Sequence, residues 1–113
     1  DDMIVLVART VTGQSRKVDT IARWGGEEFL VLLPETALTE AAATAERIRS
    51  AVASQGIDCE GKRVTATISI GVACIQGSES IDRLLQRADE ALYQAKTLGR
   101  NRVCQATEAL HQP

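Results

Sequence analysis

Residues 25–28, Gly-Gly-Glu-Glu, set two adjacent carboxylates directly after a diglycine and directly before the most apolar run of the chain, Phe29 to Leu33. Carboxylate oxygens suit a hard cation such as Mg²⁺, which keeps phosphate oxygens among its other ligands. The diglycine beside them, Gly25 and Gly26, leaves room for a nucleotide to lie against the backbone. Neighbouring strand side chains point to opposite faces, so one of Glu27 and Glu28 can face a ligand while the other packs or pairs elsewhere. A solvated hairpin tip whose acids deter edge pairing would show the same residues.

Two further groups carry charge at useful spacings. Lys96 and Arg100 are four apart, at the end of a long helical pattern and just past it. That spacing puts two cations on one side, where they can grip a polyphosphate. Cations at a helix C-terminus also serve its dipole, and that explanation stands beside the first. Arg16 and Asp19 are three apart and can pair across a turn. An arginine can also read a guanine edge bidentately, with an aspartate accepting from guanine N–H groups. An ordinary charged loop has the same composition.

The totals exclude several classes. The chain has 113 residues, 44% of them apolar, which fits one domain with one core. A formal net charge of −2 gives no basic field for duplex nucleic acid, so anion binding must come from local clusters. No apolar run approaches the ~18 residues that span a membrane. Cys59, Cys74 and Cys104 are odd in number and widely spaced, which points to reduced thiols packed as small hydrophobes. His111, in a polar tail, is neither ligand nor base on this reading.

The elements that must position these residues follow from periodicity. Residues 1–13 repeat apolar positions at helical spacing up to Gly13. "TIARW" and "EFLVLL" form a hairpin joined through Gly25-Gly26, and the unalternating second run fits a strand covered on both faces. Thr39 to Ser54 is a helix with Thr39 as N-cap, a buried stripe of Ala41, Ala45, Ile48 and Val52, and Gly56 as its stop; Arg47 and Arg49 fall off the stripe. A small hairpin turns at Glu60-Gly61. "VTATISIGVA" follows as one strand with an apolar face and a small polar face (Thr65, Thr67, Ser69, Gly71) that something can approach closely. Ser80 to Leu98 is a helix capped by Ser80 and ended by Gly99, with Leu84, Leu85, Ala88, Ala91, Leu92, Ala95 and Leu98 along one side. "RNRVCQA" is a last strand. The domain occupies 1–106, and 107–113 is a flexible tail. The expected class is α/β (α+β), a mixed, partly antiparallel central sheet flanked by helices.

Taken together, "RWGGEEF", "AERIR", "TISIGVA" and "ADEALYQAKTLGRN" resemble, in order and spacing, the GGDEF domain of bacterial diguanylate cyclases, in its GGEEF form. The match runs from Asp1 to about Val103. The resemblance implies a nucleotidyl-cyclase, palm-like fold. It implies an enzyme that joins two GTP into cyclic di-GMP: in a homodimer, the 3′-hydroxyl of one GTP attacks the α-phosphate of the other and pyrophosphate leaves. By the same resemblance Glu27 holds Mg²⁺ or Mn²⁺ and helps deprotonate the attacking hydroxyl. Glu28 is a less certain metal ligand. Gly25 and Gly26 let the nucleotide lie on the turn, Asp1 bonds guanine, and Lys96 and Arg100 hold the terminal phosphates. Arg16 and Asp19 match an RxxD site for inhibitory cyclic di-GMP, and Arg47 matches a second arginine of that lock.

Relatives begin with a central strand carrying a first metal-binding Asp, and this sequence starts just after it. A chain without that strand is expected to expose a sheet edge, fold poorly and turn over little GTP. A cytoplasmic domain, free of nucleic acid and membrane contact and sitting behind an N-terminal sensor or receiver in a parent protein that can itself be membrane-anchored, is the expected setting. The alternative is a non-catalytic receptor that binds cyclic di-GMP through Arg16 and Asp19. Such receptors usually lose the acidic turn, and this chain keeps it.

Overall fold

A computed structural model of the chain describes residues 2–17, 19–25 and 28–106. The elements run α1 (Asp2–Gln14), β1 (Thr20–Gly25), β2 (Glu28–Leu32), α2 (Leu38–Ser54), β3 (Gly56–Cys59), β4 (Lys62–Thr65), β5 (Ile70–Val72), α3 (Ile81–Thr97) and β6 (Val103–Gln105). This is the expected mixed α/β class, with antiparallel hairpins and one parallel pair. Among the described residues the strands form three two-stranded ladders, β1–β2, β3–β4 and β5–β6. β2 and β5 both face α2, yet no described strand is hydrogen-bonded between them.

Helix α2 organises the core. The expected stripe of Ala41, Ala45, Ile48 and Val52 is buried. Ile48 and Val52 meet Val11 of α1, with Val7, Val31, Ile68 and Ile70 packed around them. Ala41 and Ala45 meet Val72, with Leu33, Leu38, Ile70 and Val103 alongside. Ile70 belongs to both groups and ties β5 to each. Thr10, buried on α1, donates to the Leu6 carbonyl and accepts from Gln55 Nε2, which joins α1 to the end of α2.

Several boundaries differ from expectation. The α2 N-cap is Ala37, with no side-chain cap, and Thr39 lies inside the first turn. Its C-cap is Gln55 in extended backbone, and Gly56 opens β3 rather than stopping the helix. The strand expected over 64–73 breaks after Thr65, because its partner changes: β4 pairs with β3, whereas β5 pairs in parallel with β6. Leu32 of β2 is exposed, since the core covers this strand on one face only. Leu98 is also exposed, lying beyond the last helical turn.

Helix α3 is capped by a side chain and fixed in place by two further features. Its N-cap Ser80 accepts from the Arg83 N–H, as expected. The small polar face of the 64–73 segment is approached closely at Gly71, by α3 itself. A Cβ on Gly71 would overlap the Ala88 carbonyl oxygen and the Leu92 amide nitrogen. The second feature is Arg87, buried on α3 with only 3% of its side chain exposed. It donates Nε and Nη2 to the carboxylate of Glu79 at 2.6 and 2.8 Å, and Nη2 also reaches the Cys74 carbonyl. This fastens the 73–79 loop to the helix. These hydrogen bonds hold the Glu79 carboxyl below its ordinary value of 4.5, against the opposing effect of burial, and the Gln76 N–H adds to them.

Two tests follow from this packing. Gly71→Ala is expected to cost on the order of 3 kcal/mol of stability by overpacking backbone against backbone. Gly13→Ala, helical and open around its Cβ, is expected to add about 0.5–1 kcal/mol. Denaturant midpoints check both. A depressed folded-state pKa stabilises above the unfolded value and the gain disappears as pH falls through the folded one. The Tm gap between wild type and Glu79→Gln is therefore expected to be full above about pH 5.5 and to shrink below about pH 4.5.

Candidate functional site

The acidic hairpin brings its end to α3. In the β1–β2 ladder Arg23 faces Phe29 and Gly25 faces Glu28, so the register slips at Trp24. Gly25 is therefore paired within the ladder rather than part of the expected Gly25-Gly26 connection. Gly26 and Glu27, like Asp1, lie outside the described residues. Glu28 opens β2, and its Oε2 is 3.7 Å from Lys96 Nζ in the last turn of α3. Both side chains are partly exposed, and such a surface pair adds little stability. Its value is geometric: it sets the acidic turn and the α3 cation side by side.

The end of α3 builds the rest of this cluster. Leu98 caps the helix and Gly99 follows at φ 123°. The Arg100 N–H then returns to the Ala95 carbonyl at 2.9 Å, closing a Schellman turn. Arg100 is past the helix with φ 62°, so helical i,i+4 spacing does not carry it onto the face of Lys96 as the sequence suggested. Its side chain is exposed and makes no hydrogen bond or ion pair among the described residues.

Three side chains hold this turn; periodicity had put Ser69 on a small polar strand face and Arg49 off the α2 stripe, but had brought none of the three to this turn. Arg102 Nε donates to the Arg100 carbonyl at 3.2 Å. Ser69 Oγ accepts from the Asn101 N–H at 3.1 Å. Arg49 Nη1 of α2 donates to Asn101 Oδ1 at 2.7 Å. One signal in the chain pointed here: Gly99-Arg100-Asn101, a glycine stop followed by an asparagine, which tolerates left-handed backbone.

The second cluster lies at the other end of the hairpin. The expected Arg16–Asp19 pairing is present. Arg16 donates Nε and Nη2 to Asp19 Oδ1 at 3.2 and 2.9 Å, and its backbone N–H to Oδ2 at 2.8 Å. Nη2 also reaches the Pro34 carbonyl and Thr36 Oγ1. The Asp19 side chain is 2% exposed. The Arg16 guanidinium holds its carboxyl below the ordinary carboxylate value, with burial opposing. Arg16, Asp19 and Arg47 line one cleft of about 240 Å³, with Thr36, Glu40 and Thr44 on its walls. The structure thus gathers the three residues that the resemblance grouped. Arg47 is held by Thr44 Oγ1 at 3.1 Å.

No group of three or more metal-binding side chains occurs among the described residues. The turn offers the carboxylate of Glu28, and a hard cation that keeps phosphate oxygens needs one or two carboxylates from protein. The oxygen donor chemistry fits Mg²⁺ or Mn²⁺. No helix among the described residues is long and apolar enough to cross a membrane.

The family model described as "Diguanylate cyclase, GGDEF domain" matches residues 1–102. The chain is 49% identical over 106 residues to diguanylate cyclase DgcM of Escherichia coli K12, covering 94% of this chain and 25% of that protein. It therefore spans about a quarter of that relative's length. The solved GGDEF domain of DgcB from Caulobacter crescentus, in complex with c-di-GMP, superposes with a TM-score of 0.88 at 36% identity, over 93% of this chain and 63% of that one. The active GGEEF domain of a diguanylate cyclase from Vibrio cholerae gives 0.84 at 29% identity, over 96% and 69%. With its acidic diglycine hairpin set against the basic end of α3, the chain belongs to the GGDEF-domain family of diguanylate cyclases.

Proposed function

We propose that this chain is the catalytic domain of a diguanylate cyclase, joining two GTP into one cyclic di-GMP and releasing two pyrophosphates. One observation supports this most: the Glu28–Lys96 approach at 3.7 Å, which puts an acidic nucleotide-bearing turn beside a cation suited to phosphate. In this reading Gly25 and Gly26 let the nucleotide lie along the turn. Lys96 and Arg100 hold its terminal phosphates. Glu27 takes the proton of the 3′-hydroxyl that attacks the partner's α-phosphate, and Asp1 accepts from guanine. A bound Mg²⁺ or Mn²⁺, held by Glu27 with Glu28 beside it, supplies charge neutralisation on the phosphates. Because each domain holds one GTP, catalysis needs a homodimer. We place the domain at 1–106, with 107–113 as a tail, in the cytoplasm behind a sensor or receiver.

The Arg16–Asp19–Arg47 cleft supports a second role, inhibition by cyclic di-GMP. Two guanidinium groups and a carboxylate suit guanine edges and phosphates. Its formation apart from the acidic turn also favours the alternative of a non-catalytic cyclic di-GMP receptor. The two readings separate on incubation of the full-length protein with GTP and Mg²⁺, followed by chromatography: the enzyme makes cyclic di-GMP and the receptor does not.

Glu27→Gln is expected to lower product formation at least about 100-fold with the fold intact by circular dichroism; undiminished product would overturn the role of Glu27. Arg16→Ala is expected to weaken cyclic di-GMP binding by calorimetry about tenfold or more. Unchanged affinity would overturn the inhibitory site.

A further inference from the structure

We infer that Arg49 is a positioning residue for the phosphate-holding turn: through Asn101 it fixes the left-handed backbone that presents Arg100. The inference rests on reading Lys96 and Arg100 as the grip on the terminal phosphates, and it extends that grip to a residue on a different helix.

Arg100 and Asn101 are consecutive non-glycine residues with φ 62° and 48°. Side chains with a Cβ adopt this region reluctantly, and such pairs persist only where the surroundings over-determine them. Four bonds do so. The Arg100 N–H is held by the Ala95 carbonyl and its carbonyl by Arg102 Nε. The Asn101 N–H is held by Ser69 Oγ, and its side chain by Arg49 Nη1. The last of these reaches across 52 residues and is the shortest of the four, at 2.7 Å.

Arg49 is itself aimed. Its Nε and Nη2 grip the two oxygens of Glu46 at 2.8 and 2.6 Å, one turn earlier on α2. That fork spends two nitrogens and directs Nη1 at Asn101. The side chain is only 19% exposed. A helix-surface ion pair would account for the Glu46 contact alone; the third nitrogen on the Asn101 amide has no part in it. A lysine has no rigid fork with which to hold Glu46 bidentately and Asn101 together.

The test uses the full-length protein, Mg²⁺ and calorimetry with two probes: α,β-methylene-GTP, which carries the terminal phosphates, and GMP, which lacks them. Arg49→Ala is expected to weaken the triphosphate about five- to tenfold, the loss of one charge-assisted hydrogen bond, and to leave GMP unchanged. Asn101→Ala is expected to do the same, and the double variant to be no weaker than either single one, because both remove one interaction. Arg49→Lys is expected to recover only part of the loss. If folded Arg49→Ala binds the triphosphate as wild type does while Arg100→Ala loses it, the positioning role is overturned and the phosphate reading stands. If Lys96→Ala and Arg100→Ala both bind as wild type, the phosphate reading itself fails. Equal weakening of GMP and triphosphate would show a general structural role and overturn the inference. Should Arg49→Ala not fold, Asn101→Ala carries the same comparison.

Discussion

Helix α3 sits where it does because residue 71 has no side chain. Its backbone rests on β5 at Ala88 and Leu92, in space that any Cβ would fill. Lys96 lies about one turn beyond Leu92 on the same rigid rod, and the Schellman turn that leads to Arg100 starts where that rod ends. A helix rises about 1.5 Å per residue, so a small shift at Leu92 is carried undiminished to Lys96. The contact at Gly71 therefore controls where charge meets the acidic turn.

The two ion pairs that join α3 to other parts of the chain do different work. Arg87 and Glu79 are almost fully covered, and each also bonds to backbone, so neither charge is left uncompensated. Removing one partner of such a pair leaves a buried charge, which makes it a constraint on the 73–79 loop rather than a surplus of stability. Glu28 and Lys96 are open to water and contribute little energy. A weak, exposed pair gives way readily to a competing charge. The seat of the helix is rigid, and the pair at its C-terminal end is open to exchange.

What the sequence disclosed was local. The spacing of Ala41, Ala45, Ile48 and Val52 identified the buried face of α2, and Ser80 and Gly99 marked the ends of α3. Arg16 and Asp19 pair because they are three apart on one turn. What stayed hidden depends on chain reversal. Arg87 looks like a solvent residue until the loop before the helix folds Glu79 onto it. Arg49 and Asn101 meet across 52 residues, and no periodicity connects them. The segment 64–73 alternates cleanly, so it promised one strand; it splits because two different partners claim its halves. Gly25 is paired within the ladder rather than lying in the connection that Gly25-Gly26 suggested, because the slip at Trp24 belongs to ladder register rather than residue type.

The β3–β4 hairpin stands apart from all this. Glu60 and Gly61 turn it at φ 52° and 81°, the pair of left-handed conformations that closes a two-residue hairpin. The four residues of β4 are exposed, and among the described residues β4 pairs with β3 alone. Backbone that carries no core and borders neither cluster tolerates additions better than any other part of a domain. A fluorophore or an epitope tag spliced at Glu60-Gly61 would report on this domain without burdening the machinery it observes.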